Sequence, residues 1–300
     1  DDDDAAGDDD DAAGDDDDVV GDDDDAASSY DPEEAGPFSW TQITPSDTAG
    51  ELFVPGGAGP FPVVLFAPGF QLNPVDYISY GEHFASWGYI TLLVDFEGGL
   101  FGGPNHAQLG EDLGEAIDWI ESNPSEIAGL ANPNQLGLVG HSMGGKISLL
   151  RAASDARVDV VAALDPVDSG PPFGGNPTDY PSVTPELMPQ IAAPLLLIGE
   201  QTNSVAAGLG QACAPADQNF QQYYDAATSP VLEVDVIGAF HMSFLDNPGC
   251  IICLACPTGT DNPLVTKSLS RGLITGFFES ELRGDVDAGN WIESSDPGGF

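Results

Sequence analysis

Six short, almost wholly apolar runs punctuate this chain, and helix-length segments separate them. The runs are Val63–Pro68, Tyr89–Phe96, Leu136–Gly140, Val160–Leu164, Pro194–Gly199 and Val231–Ile237. A strand that is apolar on both faces must be covered on both, which is the signature of a parallel sheet. Helical patterns fall at Val75–Trp87, His106–Ser122, Met143–Ala153, Ala214–Ala227 and Pro263–Leu282. In the second of these, Leu109, Leu113, Ile117 and Ile120 keep the spacing of one helix face. The alternation predicts one α/β domain, its mostly parallel central sheet carrying helices on both faces. Gly103–Asn105 and Ser169–Pro181 read as loops at the carboxyl edge of that sheet.

Charge divides the chain into two parts. Fifty acidic residues face six basic ones, a formal net charge of −44. Nucleic acid is excluded as a natural partner, because phosphates are bound by clustered Lys and Arg. Docking on anionic lipid is disfavoured for the same reason. No apolar run approaches the roughly 18 residues of a membrane span, so no membrane insertion is expected. Residues 1–34 hold 19 of the acids and no base. Four units there, Asp1–Gly7, Asp8–Gly14, Asp15–Gly21 and Asp22–Ser28, repeat four aspartates and three small residues. The seven-residue period offers no large apolar seam, and like charges repel, so a coiled coil is ruled out. Residues 1–37 therefore read as a disordered acidic tail and 38–300 as a catalytic domain. An exported protein is expected, secreted, periplasmic or tethered at a cell surface through that tail, its signal peptide already removed. The domain is expected to be a monomer. Scarcity of base rather than abundance of acid marks the body, a weaker sign of halophily than an acid-rich surface would be.

Gly140-His141-Ser142-Met143-Gly144 fits G-x-S-x-G, placed after a strand and before a helix. A reversal this tight strains the serine backbone and needs small neighbours, which Gly140, Gly144 and Gly145 supply. Ser142 is the expected nucleophile, and a hydroxyl needs a base to take its proton. Among four histidines, His241 follows the last strand across Gly238-Ala239-Phe240, where such a fold delivers its base. His141 points away from the elbow, and His83 and His106 cap or pack.

The acid that orients the base has several candidate positions. Asp165 ends the strand Val160–Leu164 and is preferred, with Asp168 and then Glu200 behind it. Asp168 also reads as a turn former. The oxyanion hole takes two backbone donors, expected from Met143 and from Phe70 in the Pro68-Gly69-Phe70-Gln71 turn. Phe70, Gln71, Met143 and Val167 are the expected substrate contacts. No cofactor and no metal enter this chemistry.

From about Glu51 to Leu282 the chain resembles the α/β-hydrolase superfamily, and most of all the chlorophyllases. Gly140–Lys146 (GHSMGGK), Leu164–Asp168 (LDPVD) and His241–Asp246 (HMSFLD) carry the likeness. It implies the α/β-hydrolase fold and an acid at the aspartate of the D-P-V segment, Asp165. Platelet-activating-factor acetylhydrolases place their acid similarly. Bacterial cutinases and polyester hydrolases are similar in the elbow and in the Pro68-Gly69-Phe70 turn. Their acid follows the later strand, where this chain has Asn203, and their clamping Trp stands where it has Val167.

Cys213, Cys250, Cys253 and Cys256 form an even set in a chain that looks exported, so two disulfides are expected. They would tie the Val205–Cys213 region to the loop after His241; three pairings stay open. Zinc or iron–sulfur is the lesser reading of the C-x2-C-x2-C spacing. The sequence thus predicts a serine carboxylester hydrolase acting through an acyl-enzyme. A true chlorophyllase and a polyester hydrolase are the alternatives of the same class. A non-catalytic binding module on a hydrolase scaffold is the rival from another.

Overall fold

A computed structural model of the chain describes residues 30–96, 105–170, 176–208 and 210–294. The Asp-rich repeats and most of Gly103–Asn105 lie outside the described residues, as do positions 171–175 of the predicted loop Ser169–Pro181.

Eight strands form one sheet in the order β1-β2-β4-β3-β5-β6-β7-β8. They are β1 (Trp40–Ile43), β2 (Gly50–Pro55), β3 (Phe61–Ala67), β4 (Ile90–Val94), β5 (Ala131–His141), β6 (Val160–Leu164), β7 (Leu195–Gly199) and β8 (Val231–Asp235). From β4 onward all neighbours are parallel, while β2 is antiparallel to β1 and β4. Among the described residues the α-helices are α1 (Ile78–Ser86), α2 (His106–Glu121), α3 (Met143–Ala152), α4 (Phe220–Ala226), α5 (Pro263–Arg283) and α6 (Val286–Ser294). Every residue of β3, β4, β6 and β7 is buried, the pattern of strands covered on both faces.

Two apolar layers provide that cover. On one face Leu109, Leu113 and Ile117 of α2 and Ile147 and Leu149 of α3 pack with Leu65, Leu92 and Leu138. On the other, Tyr80 and Phe84 of α1 and Ile274, Phe277 and Phe278 of α5 pack with Phe66, Val139 and Ile198. At roughly 1.5–3 kcal/mol per fully buried large side chain, these layers are the main favourable term in folding.

Three predicted elements change on inspection. The helix expected over Ala214–Ala227 shrinks to Phe220–Ala226, because Asn219 caps it with a side chain that accepts the Gln221 N–H. The helix expected over Val75–Trp87 opens as a separate 3₁₀ turn, Pro74–Asp76, and is broken at Tyr77 (φ −136°). The boundary of the tail also moves. Residues 30–37, counted with the tail, lie on the domain: His83 Nε2 donates to the buried Pro32 carbonyl at 3.0 Å and Trp87 Nε1 to the Glu34 carbonyl at 2.9 Å. No helix among the described residues is long and apolar enough to cross a membrane.

Candidate active site

The site lies at the carboxyl ends of the parallel strands, where loops from β3, β5, β6, β7 and β8 converge. Strand β5 runs straight into α3 through Ser142, whose φ of 57° and ψ of −120° mark a strained reversal. The glycines make it possible by contact distance. A Cβ on Gly140 would stand 2.2 Å from the Gly144 carbonyl oxygen, and one on Gly144 would stand 2.0 Å from that of Ala67. The Ser142 N–H is fastened to the Leu164 carbonyl at 2.9 Å, which sets the serine beside the end of β6.

Asp165 is the residue just past that end. It too has a left-handed backbone, φ 41°, and its N–H reaches the Ile198 carbonyl at 2.6 Å. Its Oδ2 lies 2.6 Å from His241 Nδ1, and His241 Nε2 lies 2.8 Å from Ser142 Oγ. A carboxylate can only accept, so Nδ1 carries the imidazole proton and Nε2 is free to accept from the serine hydroxyl. Burial holds His241 in the neutral form, pulling its pKa down to about 4. Both ring nitrogens are thus engaged within the protein. The four cysteine sulfurs are all in disulfides, which overturns the lesser reading of their spacing as a zinc or iron–sulfur site.

Of the two lesser acid candidates, neither touches the imidazole in this way. Asp168 faces Lys146, 3.0 Å away in a buried ion pair, and takes hydrogen bonds from Ser182, Val183 and Thr184. Burial alone would raise its pKa, but Lys146 and those donors hold it below the usual carboxylate range. Asp168 fastens the 182–184 loop to α3. Glu200, at the end of β7, is wholly buried and points at Asp165.

The Pro68–Gln71 turn, the elbow and the His241 loop are joined by a chain of hydrogen bonds that sequence reading missed. His141 Nε2 is 2.9 Å from the His241 carbonyl, an acceptor, so Nε2 carries the proton. His141 Nδ1 then accepts from the Tyr77 hydroxyl at 2.8 Å, and the Tyr77 oxygen accepts the Gly69 N–H at 3.1 Å. The partial signal was the His in the elbow; nothing local in the sequence marks Tyr77.

A cavity of about 370 Å³ opens over Ser142 and His241, lined by Phe70, Leu72, Met143, Val167 and Met242 among others. Three of the four expected substrate contacts are therefore on its wall. Gln71 is not: it takes the left-handed position of its turn (φ 56°) and is exposed. His106, expected only to cap or pack, also lines the cavity, with its ring edge-on to Tyr180 at 4.8 Å. The disulfides are Cys213–Cys256 and Cys250–Cys253. The first ties the segment after β7 to the segment after His241 and forms part of the cavity wall. The second closes only its own three-residue step, so the expectation that both bridges join the two regions holds for one.

The model of the chlorophyllase family matches residues 39–296. The chain belongs to the chlorophyllase family. Among curated proteins, chlorophyllase-1 of Arabidopsis thaliana is 26% identical over 249 residues, 77% of this chain and 75% of the relative. A bis(hydroxyethyl) terephthalate hydrolase of Streptomyces coelicolor is 25% identical over 179 residues, 57% of this chain and 52% of that one. A polyketide transferase of a Penicillium species is 34% identical over 125 residues, 39% of each. This chlorophyllase-family member is an α/β-hydrolase and a carboxylic ester hydrolase.

Proposed function

We propose that the protein is an exported serine carboxylester hydrolase that works through an acyl-enzyme on esters with an apolar acyl or alcohol group. The observation that carries this reading is the unbroken chain from Ser142 Oγ through His241 to Asp165, at 2.8 and 2.6 Å, on the floor of a mostly apolar cavity. Ser142 Oγ attacks the ester carbonyl while His241 Nε2 takes its proton, and Asp165 stabilises the imidazolium. The Phe70 and Met143 N–H groups receive the developing oxyanion. His241 then returns the proton to the departing alcohol, and water cleaves the acyl-enzyme by the same route.

Phe70, on the cavity wall and 40% exposed, favours an apolar substrate. Val167, at 5% exposure, leaves no flat aromatic clamp there, which favours a flexible acyl or phytyl-like chain over an aromatic polyester. Two disulfides suit an oxidising compartment and support export, with the acidic arm as a spacer from a surface. A monomer, with no protein partner, is part of the reading.

Hydrolysis of p-nitrophenyl esters from acetate to palmitate, beside Ser142→Ala, tests it. A Ser142-dependent rate is expected. Folded protein with no rate above the variant on any ester would overturn it and favour the binding module.

A further inference from the structure

Glu200 has no role in the catalytic cycle above, yet it stands beside it, wholly buried at the end of β7. Donor atoms of Asp165, Glu200 and His241 all lie within 4.8 Å of one another, and the two carboxyls are in hydrogen-bonding contact. Two of the four carboxyl oxygens have conventional donors. Asp165 Oδ2 takes the His241 N–H, and Glu200 Oε2 takes the Asn203 N–H at 2.9 Å. The other two, Asp165 Oδ1 and Glu200 Oε1, are buried with no partner at hydrogen-bond geometry, although the backbone N–H of Glu200 acts on the Asp165 carboxyl and that of Thr202 on the Glu200 carboxyl, each pulling the pKa down against the larger effect of burial. Two bare carboxylates in a dry pocket repel each other and lose their hydration. A single proton between them removes one charge and supplies the missing hydrogen bond.

We infer that Glu200 is kept as a neutral carboxylic acid whose O–H donates to Asp165 Oδ1, making it the positioning residue that holds Asp165 against His241. The inference rests on the Ser142–His241–Asp165 reading. The proton belongs on Glu200 because the imidazolium formed during turnover needs its counter-charge on Asp165. Asp165 needs a brace, since its left-handed backbone is strained. Glu200 also steadies the other partner. The Asn203 whose backbone N–H it accepts takes the backbone N–H of His241 on Oδ1 at 2.8 Å and donates from Nδ2 to the Pro257 carbonyl at 2.8 Å. One acid thus braces both Asp165 and the segment that carries His241. Burial, and then the charge of Asp165, raise Glu200 to about 9, and burial raises Asp165 as well. The other titratable groups facing the pair are Asp235 at the end of β8, which adds negative charge, and His241 with His141 behind it. Both histidines are held neutral by burial, so neither draws the proton off.

The test compares Glu200→Gln and Glu200→Ala with wild type, with Ser142→Ala and Asp165→Asn as controls on the underlying reading. Glutamine keeps a donor for Asp165 and an acceptor for Asn203 but cannot ionise. Its kcat at pH 7 is expected within about threefold of wild type, while Glu200→Ala loses about tenfold or more in kcat with KM little changed. Wild-type kcat/KM is expected to fall on an alkaline limb near pH 9, as Glu200 ionises, and Glu200→Gln to lack that limb. An infrared difference spectrum at pH 7 is expected to show a protonated-carboxyl band in wild type that Glu200→Gln removes. Glu200→Gln as impaired as Glu200→Ala, an unaffected Glu200→Ala, or no such band would each overturn the inference. If Glu200→Ala does not fold, the Gln profile and the band decide. Activity surviving in Ser142→Ala would instead defeat the underlying reading, and the band would still report on the shared proton.

Discussion

At the scale of the residue, geometry ranks the side chains by what they touch. Replacing Ser142 by Ala or Asp165 by Asn should lower kcat by about 10⁴-fold, as losses within an interdependent triad do; steady-state kinetics on a short-chain ester checks it. Tyr77→Phe removes the donor to His141 Nδ1 and the acceptor of the Gly69 N–H, both buried. It should destabilise by about 1–3 kcal/mol and lower kcat, because the turn proposed to supply the Phe70 oxyanion donor hangs on that hydroxyl; a thermal melt beside kinetics measures the two effects. The kcat/KM profile should keep its acid limb well below the ordinary histidine pKa, near the value of about 4 to which burial pulls His241. Ser142 was legible because its glycine neighbours are adjacent in the chain. Asp165 and Glu200 both stood out in the sequence because each follows a strand end; only the structure shows that Asp165, at 2.6 Å, is the one on the imidazole.

At the scale of the element, the buried parallel strands were legible to within a few residues, since continuous apolar runs need no partner to be recognised. β1 and β2 were not: β1 is a four-residue edge strand with no buried residue, and β2 beside it is only partly apolar; α6 was not, being a nine-residue acidic helix set off by left-handed Gly284. The bridge Cys213–Cys256 spans 43 residues, which corresponds to about 4 kcal/mol of lost unfolded-chain entropy. Cys213→Ser with Cys256→Ser should therefore lower the melting temperature much more than Cys250→Ser with Cys253→Ser. It should also raise KM, because it frees a cavity wall. Melting curves of the two double variants, with KM for a medium-chain ester, decide this.

At the scale of the whole molecule, charge and burial set how stability responds to solution conditions. All four histidines are buried, and burial lowers His83 to about 3, His106 and His241 to about 4, and His141 well below its ordinary value. The unfolded chain binds protons at these sites below about pH 6.5 while the folded chain does not, so stability falls as pH drops from there toward 4. Glu200 acts oppositely: its raised value makes the folded chain hold an extra proton, so its contribution is lost as pH rises toward 9. Denaturant titrations across pH should show a maximum between the two limbs, with the acid side the steeper. Five of the six basic residues are already in ion pairs with acids, leaving the net charge of −44 as unrelieved repulsion. Raising salt from about 0.05 to 0.5 M should raise the melting temperature by screening it.

The sequence by itself determined the layered α/β plan, the elbow serine and the histidine after the last strand, because each is written in local pattern: apolar runs, small residues around a reversal, chain order. Only the tertiary structure decided which cysteines pair, that Asp168 pairs with Lys146 rather than His241, that Tyr77 ties the Pro68–Gln71 turn to His141, and that Glu200 faces Asp165. Those are contacts between residues far apart in the chain, and their energies depend on distances and on the exclusion of water that exist only once the sheet has brought its strand ends together.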